Sequence, residues 1–138
     1  MALRAESRAR ARALQLLYAW ETDGQPDLEQ LVPRLERLTR SSSPVQSAAA
    51  GLARGVVAEC GALDALFAEA AEHWRLDRLA VVDRNILRLA VYELLHQRVP
   101  AKVAIDEALW LAHRFAGRQS PSFINGVLDQ VARRLGRL

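Results

Sequence analysis

The sequence predicts an all-α fold, a compact bundle of about seven helices arranged in two lobes. Three observations carry this. Apolar residues recur at spacings of three and four along most of the 138 residues, and no segment alternates with the period of two that a half-buried strand requires. The stretch Asp83–Leu95 places Ile86, Leu87, Leu89, Ala90, Val91, Leu94 and Leu95 around most of a helix circumference. A helix so apolar must be enclosed by other helices. Finally, short breaks rich in Gly, Pro and Ser punctuate the periodic segments at 23–27, 40–44, 98–100 and 117–121.

Each element follows from its own spacing. Residues 4–22 form the first helix, with Ala13, Leu16, Leu17 and Trp20 on its apolar face. After the turn Asp23–Asp27, Asp27 is placed to cap a helix over Leu28–Thr39, whose apolar face is Leu28, Leu31, Leu35 and Leu38. Arg40–Pro44 is the expected lobe boundary, and Ser43-Pro44 a helix start, since proline at the first helical position loses no hydrogen bond. The third helix, about Pro44–Cys60, is rich in Ala and Gly and is expected to let a neighbouring backbone approach. A fourth runs from about Ala62 to Trp74 on Leu63, Leu66, Phe67 and Ala70. Asp77 is placed to cap the central helix, on which Arg84, Arg88 and Tyr92 form a narrow polar stripe. The sixth helix, about Ala101–Ala116, is expected to bury Val103, Ala104, Ala108, Leu111, Ala112 and Phe115 and to place Gly117 at C′. Ser120-Pro121 opens the last helix on Phe123, Val127, Leu128 and Val131. Asn125-Gly126 resembles a hairpin turn, but its flanks have helical spacing. Gly126 is therefore expected in the helix, small so that another chain or an RNA backbone can approach.

Charge is informative in its distribution. Residues 1–12 hold Arg4, Arg8, Arg10 and Arg12 against the single acid Glu6, so this segment carries the whole formal net charge of +3. Arginine outnumbers lysine everywhere, with Lys102 the sole lysine. Compositional bias accounts for part of that, but not for the clustering at the first turns, where positive charge opposes the helix dipole. Concentrated arginine is a phosphate-binding footprint. Arg4, Arg8 and Arg12 stand at i, i+4 and i+8, with Gln15 and Tyr18 beyond them. Guanidinium groups followed by a phenol suit phosphates at one end and a stacked base at the other. The competing reading is a solvated first turn with Tyr18 half buried, and for Arg84 and Arg88 charges that merely solvate their face.

Several chemistries are excluded as expectations. Cys60 is the single cysteine, which suits a reducing compartment. No apolar run approaches the roughly 20 residues of a membrane span, and the charged N-terminus lacks the apolar stretch of a signal peptide. A cytoplasmic protein is expected. His73, His96 and His113 share no ligand spacing with Cys60, so no metal site is expected. No glycine-rich phosphate loop or hydrolase motif is present. Asp106 and Glu107 diverge by about 100° on a helix and do not form a catalytic pair. Neither an enzyme nor a cofactor is expected.

Three segments then carry a family resemblance: Arg8-Ala9-Arg10 through Leu14-Gln15-Leu16-Leu17-Tyr18-Ala19-Trp20; Asp83-Arg84-Asn85 through Glu93-Leu94 with Val99-Pro100-Ala101-Lys102-Val103-Ala104-Ile105-Asp106-Glu107-Ala108; and Phe123-Ile124-Asn125-Gly126-Val127-Leu128-Asp129. In order and spacing the whole chain, as one domain over 1–138, resembles the NusB family of bacterial transcription antitermination factors. The resemblance implies a helical protein that pairs with NusE, a small-subunit ribosomal protein. The pair binds single-stranded boxA RNA of nascent rRNA leaders and acts on the transcription elongation complex of RNA polymerase with other Nus factors. Carried across, Arg4, Arg8, Arg10, Arg12, Gln15 and Tyr18 hold RNA, and Arg118, Gln119, Ser120, Phe123 and Gly126 form the other part of that surface. Arg78, Asp83 and Arg84 face NusE.

Two departures bear on the transfer. Glu6-Ser7 interrupts an arginine run that is unbroken in some relatives, and Arg118-Gln119 stand where some members are acidic. The first weakens the phosphate field locally and the second strengthens it. Arginines supply the salt-dependent attraction, Tyr18 and Phe123 stack on bases, and Gln15 and Asn125 read base edges unless Asn125 is a buried structural amide. A competing expectation from another class is a homodimeric helical adaptor without specific RNA recognition. A third is the NusB-like domain that fronts some rRNA cytosine methyltransferases, whose catalytic domain this sequence does not contain.

Overall fold

The structure, a computed structural model, describes residues 4–71 and 79–138. Among these residues there are seven α-helices and no strands: α1 (Ala5–Thr22), α2 (Leu28–Thr39), α3 (Ser43–Ala58), α4 (Cys60–Ala70), α5 (Val81–Leu95), α6 (Ala101–Phe115) and α7 (Ser120–Arg134). The all-α expectation holds. Arg78, the Asp77 cap and Trp74 lie outside the described residues.

The chain divides into two compact units, Met1–Ala58 and Glu59–Leu138. The division falls between α3 and α4, not at the expected 40–44. The reason is the small-residue character of α3. Its Ala49, Ala50 and Ala53 are buried, and α3 makes its most extensive packing against α1. The Ser-rich segment is thus an internal turn of the first unit.

In that unit α1 buries Ala13, Leu16, Leu17 and Trp20 as the spacing predicts. Asp27 caps α2 by accepting from the Glu29 amide at 3.0 Å. The apolar face of α2 is Leu28, Leu31 and Val32, with Leu35 half-buried, whereas Leu38 is 80% exposed. The expected face ran one turn too far. Ser43 is already helical, and Ser42 Oγ accepts from the Val45 amide at 3.4 Å.

In the second unit α5 packs on α4, α6 and α7. Ile86, Leu87, Leu89, Ala90, Val91 and Leu94 are all buried, as the apolar circumference requires. Its first helical residue is Val81, after Ala80. Asp106 is exposed and Glu107 buried. Phe115 is not part of the core: it ends α6 at 36% exposed, where the helix stops before the extended Ala116. The last helix begins at Ser120 after Gln119, one residue earlier than a Ser120 cap implies, with Pro121 in its first turn.

Candidate nucleic-acid interface

The arginine row of the first unit lies on the face of α1 that the apolar stripe leaves open. Arg4 and Arg8 are exposed and Arg12 is half-buried. Arg12 is held in place: its Nε donates to Ser41 Oγ at 2.8 Å and its Nη1 donates to Gln15 Oε1 at 2.9 Å. Three side chains from α1 and the α2–α3 turn therefore form one hydrogen-bonded set. The sequence pointed to Arg12 and Gln15 but missed Ser41, which is 29 residues away and was read only as part of a linker. Tyr18 is 46% exposed, so its ring is available to a stacking partner. The rest of the side chain is covered, so Tyr18 is about half buried as well as half open.

Arg10 is the exception. It is 6% exposed and buried with Ala9 and Ala11. It stands two positions from Arg8 and from Arg12, about 200° around the helix, which turns it to the packed side. It does not belong to the exposed row, and compositional clustering alone gave no sign of this.

The second basic segment lies in the other unit. Arg118 and Gln119 are exposed, and Ser120 and Phe123 are half-buried. Phe123 is engaged in an interaction within the chain. Asn125 is exposed, so it is not a buried structural amide. Gly126 is helical and exposed, and a methyl group added there would meet nothing within 4 Å. Packing within the chain does not demand a glycine at 126.

The polar stripe of α5 differs from its expectation. Arg88 is 5% exposed and does not solvate the helix. Its Nε and Nη2 grip both oxygens of Asp64 on α4 at 2.7 and 2.8 Å. A third donor, Nη1, reaches Asn85 Oδ1 at 3.1 Å, while Asn85 Nδ2 donates to the Val81 carbonyl at 2.9 Å. This buried set joins α4 to α5. Arg84 is half-buried and its Nη1 lies 3.4 Å from the Leu79 carbonyl. Asp83 is half-buried, with one carboxylate oxygen buried and without a hydrogen-bond partner among the described residues. Tyr92 is covered by His96, ring centroids 4.7 Å apart, and by the Arg98 guanidinium, 5.8 Å from its ring centre. His96 Nε2 in turn lies 2.7 Å from Glu59.

Among the described residues no group of three or more His, Cys, Asp or Glu side chains is placed to hold a metal ion, and no helix is long and apolar enough to cross a membrane. Each unit offers exposed polar groups on a helical scaffold: Arg4, Arg8 and Tyr18 in the first, Arg118 and Gln119 in the second. Such a combination belongs to the class of helical nucleic-acid-binding proteins.

Comparison with known proteins narrows the class. The model of the NusB family matches residues 7–133. The transcription antitermination protein NusB of Solibacter usitatus is 43% identical over 129 residues, covering 93% of this chain and 88% of the relative. The solved structure of T. maritima NusB superposes with a TM-score of 0.82 at 36% identity, covering 96% of this chain and 93% of the other. A structure described as antitermination factors NusB and NusE in complex with dsRNA matches in fold, with a TM-score of 0.83 at 24% identity over 96% of this chain and 99% of the other. The chain belongs to the NusB family.

Proposed function

We propose that this chain is a transcription antitermination factor that binds single-stranded boxA RNA together with NusE and acts within the transcription elongation complex in the cytoplasm. The observation that carries the RNA assignment is the α1 face, where Ser41 and Gln15 hold Arg12 beside exposed Arg8 and Tyr18. Antitermination rests on the NusB relatives.

The mechanism is binding without bond chemistry. Arg4, Arg8 and Arg12 take RNA phosphates, each contact releasing counterions, so affinity falls with salt. Tyr18 offers its ring to an unpaired base. Gln15 uses its oxygen on Arg12 and keeps its amide N–H groups for a base edge or phosphate. In the second unit Arg118, Gln119, Ser120 and Phe123 contact RNA, and exposed Gly126 admits a backbone where a longer side chain would stand in the way. NusE meets the start of α5 at Asp83 and Arg84, both of them half-buried and so in part open to a partner. Arg88 and Arg10, both buried, act on stability and not on RNA.

The test is a titration of labelled single-stranded boxA RNA against a base-shuffled RNA, with and without NusE. Selective binding that tightens with NusE is the expected result. Equal binding to both RNAs would reduce the assignment to a nonspecific basic patch. No binding, together with a dimer by light scattering, would replace it with the adaptor reading.

A further inference from the structure

The end of α6 holds a second cluster of aromatic and basic side chains that the RNA reading above does not use. The Arg114 guanidinium carbon lies 5.8 Å from the Trp110 ring centre and 5.7 Å from that of Phe115. His113, Arg114 and Phe115 are all exposed, and Arg118 and Gln119 follow after the extended Ala116. Basic residues in a last turn complement the helix dipole, which accounts for His113 and Arg114 but not for an exposed phenylalanine beside them. Tyr18 and Phe115 are the exposed aromatic residues among those described, whereas Phe123 is half-buried and engaged within the chain.

We propose that the C-terminal turn of α6 is an additional RNA subsite, in which a single unpaired base stacks on Phe115 and the adjoining phosphate meets Arg114 and Arg118. The inference rests on the RNA reading and deepens it. Three features favour a single-stranded nucleic acid over a protein partner. The exposed ring stands among cations, not in an apolar patch. The guanidinium already lies against two rings, so its freedom is reduced before a ligand arrives. The cluster also runs directly into Arg118 and Gln119 of the proposed RNA segment. A base has an apolar face for the ring and an anionic backbone for the cations, and this mixture suits both.

The experiment titrates labelled single-stranded boxA RNA, with NusE present, against the wild-type chain and its Phe115→Ala, Phe115→Leu, Phe115→Trp and Arg114→Gln variants. Helicity is checked by circular dichroism. Phe115→Ala is expected to weaken RNA binding about fivefold or more, Phe115→Trp to restore it and Phe115→Leu not to, because stacking needs a ring and not only apolar cover. Arg114→Gln should lower the salt dependence as well as the affinity. Wild-type affinity in Phe115→Ala, or full rescue by leucine, would overturn the subsite while leaving the RNA reading in place. Loss of NusE pairing with RNA affinity unchanged would overturn it too and assign the cluster to a protein partner. Absence of RNA binding by the wild-type chain in the same titration would remove both.

Discussion

Arg8 and Arg12 on α1 stand four residues apart on a helix that carries a tyrosine beyond them, at 18. Arg84 and Arg88 on α5 stand four apart on a helix that carries one at 92. In sequence the two rows are nearly the same device. In the structure they differ in almost every respect. Arg12 ends among neutral polar groups, Ser41 and Gln15, and Tyr18 is exposed. Arg88 ends on a carboxylate, Asp64, and is buried, while Tyr92 lies under His96 and Arg98.

Two physical causes separate the rows. The first is how much of the helix is apolar. On α1 Arg8 and Arg12 stand clear of the apolar stripe, Arg8 exposed and Arg12 half-buried. On α5 apolar residues surround the stripe, so neighbouring helices that cover them cover it as well. The second is the partner. A hydroxyl or amide orients a guanidinium and leaves its charge uncompensated for a phosphate. A bidentate carboxylate satisfies both charge and geometry, and nothing remains to attract a ligand. Arg12 therefore keeps more of its charge for a ligand than Arg88, which Asp64 has claimed.

Breaking the α5 pair gives the largest expected effect on folding. Arg88→Ala removes three donors and leaves Asp64 and Asn85 short of partners. Because the Asp64 side chain is 30% exposed, water recovers part of the loss. A destabilisation of about 2–3 kcal/mol is expected by urea unfolding, at the lower edge of the range for broken buried pairs. Unaltered stability would show that burial of Arg88 is incidental and undo the contrast.

Tyr18→Ala sharpens the other side. It should cost about 1–3 kcal/mol in RNA binding and move the unfolding midpoint only modestly, since the residue is 46% exposed. A large stability loss with intact RNA affinity would mean that Tyr18 is structural, as Tyr92 is.

Gly126→Ala separates packing within the chain from approach by a ligand. The added methyl meets no atom within 4 Å, so the helix should gain about 0.5–1 kcal/mol from better propensity. RNA affinity should fall at the same time. Gained stability without lost affinity would remove Gly126 from the RNA-contacting set.

The smallest effect belongs to the exposed pair Glu29–Arg54, whose Oε2 and Nη2 are 2.9 Å apart. The Arg54 hydrogen bond holds the Glu29 carboxyl below its ordinary 4.5. A group with a depressed folded pKa contributes stability that is present above the unfolded value and lost as pH falls through the folded one. The pair should therefore add a little stability at neutral pH that disappears below about 4.5. Glu29→Gln should make unfolding slightly less sensitive to acid across that window. Identical acid sensitivity would show that solvent screening cancels the pair, unlike its buried counterpart on α5.

How much of this was legible in the sequence differs by element. Helix positions were, because three-and-four spacing and caps such as Asp27 are local signals. The exposure of candidate site residues was legible where it follows from a single helix: Arg8, Arg12, Gln15 and Tyr18 all lie off the apolar stripe of α1. It failed where a distant residue decides. Asp64 claims Arg88 from 24 positions away, and Ser41 orients Arg12 from 29. Phe115 fits the inward spacing of α6, yet as the last helical residue it is left exposed. Arg10 shows the reverse error, a charge counted with its neighbours although helical geometry turns it to the packed side.

The central claim is that the α1 row binds phosphate and the α5 row does not. The most direct measurement is the slope of log affinity for boxA RNA against log salt, in the wild-type chain and in Arg12→Ala, with stability followed in parallel. Loss of one phosphate contact to single-stranded RNA should reduce the slope by about 0.7, with little change in the unfolding midpoint. An unchanged slope, or a reduction only in proportion to lost folding, would contradict the account.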